Sequence, residues 1–179
     1  MKTVLIIIVC IVLVFVVIYA YQGGFKSIQV ESITAGGETF VYKNLTGEYK
    51  NSAVTMDEIY YKLLNEYKIE TYKGCGIYYD NPKKVEKSKL RCDAGCIVES
   101  KDLSKISELE GVYDVKELPK QEYVTASFPY KNKMSIIFGI MKVYPALKKY
   151  AIKNNLDEDG PVIEIYDVPN KRIVYRKSL

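Results

Sequence analysis

A single carboxylate lies within an apolar segment near the end of the chain, in the run Val162-Ile163-Glu164-Ile165-Tyr166. Because side chains alternate between the two faces of a strand, the two isoleucines share one face, and Val162, Glu164 and Tyr166 share the other. Glu164 therefore faces solvent or enters a mixed cavity, and the pattern leaves both interpretations open. In a cavity its pKa would rise unless a cation paired with it, so such a carboxylate would attract an organic cation.

The chain contains 17 tyrosines, whose amphipathic rings suit a pocket wall with one wet end. The candidates for such a wall around Glu164 lie on predicted strands: Tyr42, Tyr78, Tyr79, Tyr123 and Tyr166. A core tyrosine with a satisfied hydroxyl is the competing interpretation for each of them. Tyrosines on predicted helices, such as Tyr144, we interpret as packing residues.

Composition argues against several kinds of site. The chain has no histidine, which removes the Ser/His, Cys/His and His-metal arrangements. Cys75, Cys92 and Cys96 form an odd set, and Cys92-x-x-x-Cys96 has no second pair, so we expect core thiols, no metal site and no cofactor. The net charge of +4 is spread along the chain without a basic block, so we expect no nucleic-acid partner.

The run of residues 4–21 is almost wholly apolar. At ~1.5 Å per residue it would span about 27 Å, close to the thickness of a hydrocarbon core. The alternative is a cleaved signal peptide, but Tyr19-Ala20-Tyr21 is a poor cleavage site. We therefore predict a retained single-pass anchor whose partner is the lipid bilayer. The reduced cysteines and a weak charge bias favour a cytosolic domain.

Beyond a flexible joint at Gln22-Gly23-Gly24, one order of elements occurs twice. The first unit has a strand at 39–45, a helix at 53–67 with Thr55 and Glu58 as a capping box, and a hairpin around Asp80-Asn81-Pro82. The second has a strand at 123–128, a helix at 134–154 that Pro145 should kink or break, and strands at 162–166 and 173–175. A strand near 28–30, turned by Gly36-Gly37, and a short helix at 103–109 are also expected. The order predicts a monomeric α+β domain with two pseudo-symmetric halves.

Several runs in this order resemble the GyrI-like domain family: YYDNP (78–82), LRCD (90–93), VTASFPY (124–130), VYPAL (143–147) and IEIY (163–166). The likeness is closest to a membrane-anchored branch that includes a receptor for autophagy of the endoplasmic reticulum. It implies an anchor at 1–22, a linker at 23–27 and a GyrI-like domain of two β-α-β-β units with an antiparallel sheet at 28–179. The sequence ends at Leu179 without that receptor's disordered acidic tail, so tail-borne activity is not carried over.

In the GyrI-like family the two units enclose a pocket, and the resemblance places Glu164 at the position of the pocket glutamate on the penultimate strand. Three functions follow as expectations. The first is a non-enzymatic, membrane-anchored adaptor with an unidentified protein partner. The second is a sensor or sequestering domain for a cationic amphiphile bound at Glu164. The third is a toxin hydrolase with Glu164 as general base, which the absence of histidine and tryptophan weakens. The membrane would be the endoplasmic reticulum in a eukaryote and the inner membrane in a bacterium.

Overall fold

The computed structural model describes residues 2–178, beginning with helix α1, Lys2–Tyr21. The helix has a mean hydropathy of 3.4 over its most apolar window, and none of its residues is buried. Its length and composition would let it cross a membrane, and they are equally typical of a signal sequence. Met1 and Leu179, the outer limits of the predicted anchor and domain, lie outside the described residues.

The rest of the chain forms one antiparallel sheet with two long helices, α2 (Asn51–Asn65) and α3 (Lys133–Lys153). The strands are β1 (Val30–Ala35), β2 (Thr39–Thr46), β3 (Lys73–Tyr78), β4 (Arg91–Val98), β5 (Asp114–Glu117), β6 (Gln121–Pro129), β7 (Val162–Asp167) and β8 (Arg172–Ser178). Their spatial order is β1-β6-β8-β7-β3-β4-β2-β5. Short 3-10 segments cover Lys87–Lys89 and Ser100–Leu109.

Two equivalent units account for this strand order. The unit β2-α2-β3-β4 lies in the sheet as β2-β4-β3, and the unit β6-α3-β7-β8 lies as β6-β8-β7. The units meet where β3 pairs with β7, and β1 and β5 extend the sheet at its two ends. The predicted α+β class with two β-α-β-β units is therefore confirmed.

Both helices cover the same face of the sheet, and each packs on it through an apolar stripe at helical spacing. Ile59 and Leu63 of α2 pack on Val41, Cys96 and neighbouring residues. In the second unit, Val143 and Leu147 of α3 pack with the residues Val124, Phe128, Ile173 and Tyr175. Each helix thus makes a core with its own unit, and the central pair β3 and β7 lies between the two cores.

The opposite face has its own core, built from alternate residues of the same strands. It includes Phe40, Ile77, Ile163 and Tyr123. Two short connections, β1 to β2 and β5 to β6, lie side by side: the Leu118 N–H donates to the Glu38 carbonyl (2.9 Å), and the Gly37 N–H donates to the Leu118 carbonyl (2.7 Å). Leu118 is itself a buried member of this core. The connection from β5 to β6 therefore contributes to this core.

Some local expectations are wrong. Helix α2 begins at Asn51, so Thr55 is a buried residue inside the helix and forms no capping box with Glu58. Helix α3 runs through Pro145 without the break into two helices that was one of the two predicted outcomes. Proline removes one backbone bond, to the carbonyl of Met141, and Met141 lies on the exposed side where water can satisfy that carbonyl.

Other differences come from long-range pairing. The Gly36-Gly37 turn does not join a hairpin, because β1 pairs with β6 and β2 pairs with β4 and β5. Strand β5 was not expected, and the predicted helix at 103–109 is part of a 3-10 segment. The joint after α1 is not free either, since the Gln22 side chain is buried and hydrogen-bonded.

Candidate ligand-binding site

Glu164 lies at the centre of the molecule, on the sheet face that the helices cover. In register, it is opposite Gly76 of β3 on one side and Tyr175 of β8 on the other. The residue is buried, with 2% of its surface exposed. The structure thus selects the buried interpretation of the two that the sequence left open.

Two tyrosine hydroxyls hold the carboxylate. Tyr144 from α3 donates to Glu164 Oε1 (2.7 Å), and Tyr166, two residues along β7, donates to Oε2 (2.7 Å). Burial raises the pKa of Glu164, and the two hydroxyls act in the opposite direction. Within residues 2–178 no lysine or arginine forms an ion pair with Glu164, so its charge is met by hydroxyl dipoles alone.

Two further tyrosines complete what we call the Glu164 cluster: Glu164, Tyr78, Tyr144, Tyr166 and Tyr175. The Tyr78 hydroxyl shares a hydrogen bond with Ser52 Oγ (2.9 Å). The Tyr175 ring meets the Tyr144 ring edge to face, with centroids 6.0 Å apart. Burial first, and the charge of Glu164 second, raise the pKa of both Tyr78 and Tyr175 well above the usual range.

The cluster has space beside it that a methionine fills. Gly74 and Gly76 of β3 face the helices, and a Cβ added to Gly76 would lie 2.9 Å from Met56 Cε. A Cβ added to Gly74 would lie 3.6 Å from Met56 Sδ and 3.7 Å from Tyr166. The flexible end of Met56 therefore occupies the place of a side chain at Gly76, and it lies in ordinary contact distance of a Cβ at Gly74.

Of the predicted wall residues, the structure brings Tyr78 and Tyr166 to Glu164 and places the other three elsewhere. Tyr42, Tyr79 and Tyr123 belong to the core on the opposite face of the sheet. The reason is strand alternation: Tyr79 follows Tyr78 by one residue and so points the other way. Their partners there are Lys116 over the Tyr42 ring (4.3 Å), Asp93 for the Tyr79 hydroxyl (2.6 Å) and the Pro119 carbonyl for the Tyr123 hydroxyl (2.8 Å).

The sequence interpretation missed Tyr144, Tyr175 and Met56. Tyr144 was assigned to packing because it lies on a helix, and nothing in helical periodicity shows that its hydroxyl reaches a strand. Two signals were present. The alternation Gly74-x-Gly76 within a strand indicates that something approaches closely, and alternation along β8 places Tyr175 on the same face as Ile173.

The Glu164 carboxylate is closed to solvent, whereas the rings of Tyr78, Tyr144 and Tyr166 are half-buried. Two surface clefts, of about 390 and 220 Å³, lie elsewhere: one is beside Lys43 and Tyr113, and the other is on the opposite face beside Asp167 and Arg176. Glu164 lines neither of them. A ligand could therefore reach the carboxylate after movement of Met56, of a tyrosine or of α3.

The fold is a pseudo-symmetric α+β domain, in which two equivalent units share one antiparallel sheet. It carries an internal cluster of one buried carboxylate and several tyrosines on the face that the helices cover. Residues 29–173 match the family model of the GyrI-like small molecule binding domain. The chain belongs to the GyrI-like family.

Two curated relatives match part of the chain. Testis-expressed protein 264 from Homo sapiens is 35% identical over 100 residues, which is 52% of this chain and 32% of the relative. The homologue from Mus musculus is 33% identical over 100 residues, with the same coverage of 52% and 32%. The match thus spans about a third of the length of these relatives.

Solved structures share the fold at low identity. EcmrR in a complex with DNA has a TM-score of 0.58 at 11% identity and covers 93% of this chain and 63% of its own. SAV2435 bound to tetraphenylphosphonium has a TM-score of 0.50 at 13% identity and covers 84% of this chain and 92% of its own. These likenesses show the fold.

Proposed function

We propose that this chain is a membrane-anchored small-molecule-binding module, in which α1 spans a bilayer and the Glu164 cluster takes an organic cation. The observation that carries the proposal is the Glu164 carboxylate, which is 2% exposed, hydrogen-bonded to two tyrosine hydroxyls and surrounded by aromatic rings. The unburied, strongly apolar α1 supports the anchor.

The chemistry of the cluster favours a cation. A carboxylate removed from water loses much of its solvation, and a ligand that carries positive charge would offset part of that cost. The rings of Tyr78, Tyr144, Tyr166 and Tyr175 add faces to which an organic cation is attracted. The family description, small molecule binding, fits this chemistry, and SAV2435 was solved with tetraphenylphosphonium, itself an organic cation.

Entry would begin with the Met56 side chain. It covers Gly74 and Gly76 directly beside Tyr166, and a thioether chain changes rotamer at low cost. Its displacement would open space over the two glycines and expose the Glu164 carboxylate from the α2 side. Met56→Ala should therefore bind a cation more tightly than the wild type, because no side chain has to be displaced.

The second candidate is a membrane-anchored adaptor whose domain binds a protein. The observation that favours it is the buried carboxylate, both of whose oxygens already accept a hydrogen bond from within the domain. In that case Glu164 and its tyrosines would hold α3 on the sheet. Under this second proposal, α1 would lie in the endoplasmic reticulum membrane and the domain would face the cytosol.

Calorimetric titration distinguishes the two candidates. The full chain in lipid nanodiscs is titrated with tetraphenylphosphonium, with empty nanodiscs as the blank and tetraphenylborate as the anion of similar shape. We expect the cation to bind and the anion not to bind. Glu164→Gln should weaken cation binding by roughly ten- to a hundredfold, since a charge-assisted contact contributes about 1.5–3 kcal/mol.

Asp167→Asn is the matched control, because Asp167 lies on the same strand with its side chain on the opposite face, bonded to Arg172. It should leave cation affinity unchanged. Absence of saturable binding by both wild type and Met56→Ala would contradict the ligand-binding proposal and leave the adaptor as the better candidate.

A further inference from the structure

The outward side of α3 is apolar where a soluble surface helix would be polar. Four side chains in its N-terminal half are largely exposed: Met134, Ile137, Ile140 and Met141, with Ile137 at 57% and Met141 at 65%. Three of them, Met134, Ile137 and Met141, follow the i, i+3, i+7 spacing of one stripe. A contiguous stripe of this kind indicates a surface that something covers.

Helix α1 is fixed to the start of α3 and not loosely tethered. The buried Gln22 side chain donates to Asn132 Oδ1 (3.2 Å) and accepts from Ser135 Oγ (3.0 Å). Asn132 and Ser135 are the two residues of the α3 capping box. Lys131 Nζ reaches the Tyr21 carbonyl (2.6 Å), and Lys142 Nζ reaches the Lys26 carbonyl (2.6 Å). The end of α1 is thus clamped against the first turns of α3.

Aromatic contacts show which part of α1 lies beside α3. The Tyr19 ring, two residues inside the apolar helix, lies 5.7 Å from the Phe138 ring of α3 and 5.0 Å from the Phe25 ring. Phe25 is 71% exposed. Rings at this position are typical of the belt where a membrane segment leaves the hydrocarbon. Phe138, and with it the adjacent Ile137 and Met141, therefore lies at the level of the membrane interface.

The charge of α3 fits the same location. The helix contains five lysines, Lys133, Lys142, Lys148, Lys149 and Lys153, and no aspartate or glutamate. A helix that combines an apolar stripe with basic residues is typical of segments that lie in the headgroup layer of an anionic bilayer. The same lysines would repel a second copy of α3 packed on the stripe.

We propose that the outer face of the N-terminal half of α3 lies in the headgroup layer of the bilayer that α1 spans, so that the domain is docked on the membrane in one orientation. This inference rests on the proposed anchor. The bilayer covers Met134, Ile137, Ile140 and Met141. Lys142 is bonded to the Lys26 carbonyl and Lys148 is paired with Glu158 (2.9 Å), so Lys133, Lys149 and Lys153 are the lysines of α3 that would meet anionic headgroups. The docked helix is also the one that supplies Tyr144 to the Glu164 cluster, so the cluster lies close to the membrane surface.

The test uses the absence of tryptophan from the chain. Single-tryptophan variants of the full chain are reconstituted in vesicles of phosphatidylcholine and phosphatidylserine, with or without a nitroxide quencher near the headgroups. Ile137→Trp and Met141→Trp report on α3. Phe15→Trp, measured with a quencher deep in the acyl chains, reports on insertion of α1. Val112→Trp and Val115→Trp are controls near β5, which pairs with β2 of the first unit, whereas α3 packs on β6 and β8 of the second.

We expect the shallow quencher to reduce emission severalfold more for the two α3 variants than for the two controls. Strong deep quenching of Phe15→Trp with α3 variants that behave like the controls would overturn the docking and leave the anchor intact. Blue-shifted α3 emission without quenching would likewise overturn it, since a protein surface and not lipid would cover the stripe. Absence of quenching at Phe15→Trp would overturn both the anchor and the docking.

Discussion

At the scale of single residues, two buried tyrosines differ in what their hydroxyls do. Tyr123 and Tyr175 are both 0% exposed. The Tyr123 hydroxyl donates to the Pro119 carbonyl (2.8 Å), whereas the Tyr175 hydroxyl has no hydrogen-bond partner among the described residues. A buried hydroxyl without a partner destabilises the native state, and it is also a group that a ligand entering the cluster could satisfy.

We therefore expect Tyr175→Phe to leave the free energy of unfolding unchanged or to raise it. The matched variant, Tyr123→Phe, should lower it by about 0.5–1.5 kcal/mol, because it removes one hydrogen bond, to the carbonyl of the exposed residue Pro119. Chemical denaturation of both variants measures the difference. An equal loss for the two would show that the Tyr175 hydroxyl is satisfied in solution.

Glu164 should make stability depend on pH. Burial raises its pKa in the folded chain above the unfolded value of about 4.3, so the folded chain holds the proton over a range in which the unfolded chain releases it. The stabilisation is complete below that value and is lost as pH rises through the raised pKa. Relative to Glu164→Gln, the wild type should lose stability over this window. Denaturation of both proteins at several pH values measures it, and parallel curves would contradict it.

At the scale of elements, one small network determines how α1 meets the domain. The capping residues of α3, Asn132 and Ser135, bind their own helix and also the Gln22 side chain. The Gln22 amide donates a second hydrogen bond to Asn132 Oδ1 and accepts a hydrogen bond from the Ser135 hydroxyl. Loss of Gln22 would therefore leave the capping residues with unsatisfied hydrogen-bonding groups. The cap and the clamp are therefore coupled.

Gln22→Ala should loosen the first turn of α3 by about 1–2 kcal/mol, since two buried hydrogen bonds to its cap are lost. The readout is amide hydrogen exchange of the full chain in nanodiscs, in which residues 133–136 should exchange faster. Gln29→Ala is the control, because Gln29 is exposed and lies before β1. Equal exchange in the two variants would show that Gln22 does not support the cap.

At the scale of the whole molecule, the two units are joined by continuous pairing within one sheet and not by a flexible hinge. Six residue pairs join β3 to β7, from Lys73 with Asp167 to Tyr78 with Val162. The crossing connections then tie β1 to the first half and β5 to the second. Because the Glu164 cluster draws on both units, neither half can lose its structure without exposing it.

A chain that starts at Gln22 should therefore stay folded and melt in a single cooperative transition. No residue of α1 is buried, so its removal takes no side chain from the core. Far-ultraviolet circular dichroism and tyrosine fluorescence should give the same midpoint. Two separate transitions would show that the halves unfold independently, and aggregation would show that the domain depends on α1.

Local sequence was sufficient for the three α-helices and for every strand except β5, in their order. The apolar run of α1, the alternation around Glu164, the hairpin at Asp80-Asn81-Pro82 and the repeat of strand, helix and strands all depend on neighbours within a few residues. Alternation alone also placed Glu164 with Val162 and Tyr166 on one face. It separates Tyr78 from Tyr79 as well, because adjacent strand residues point to opposite faces.

Tertiary structure decided that the helices cover the sheet face that carries Glu164, and which other side chains reach Glu164. Tyr144 comes from a helix, Tyr175 is brought by the register of β8, and Met56 fills space that Gly74 and Gly76 leave open. β1 pairs with β6 across more than eighty residues of chain, where the sequence suggested a local turn. Contacts between distant residues depend on packing and strand register, which local periodicity does not encode, and the clamp of Gln22 on α3 arises in the same way.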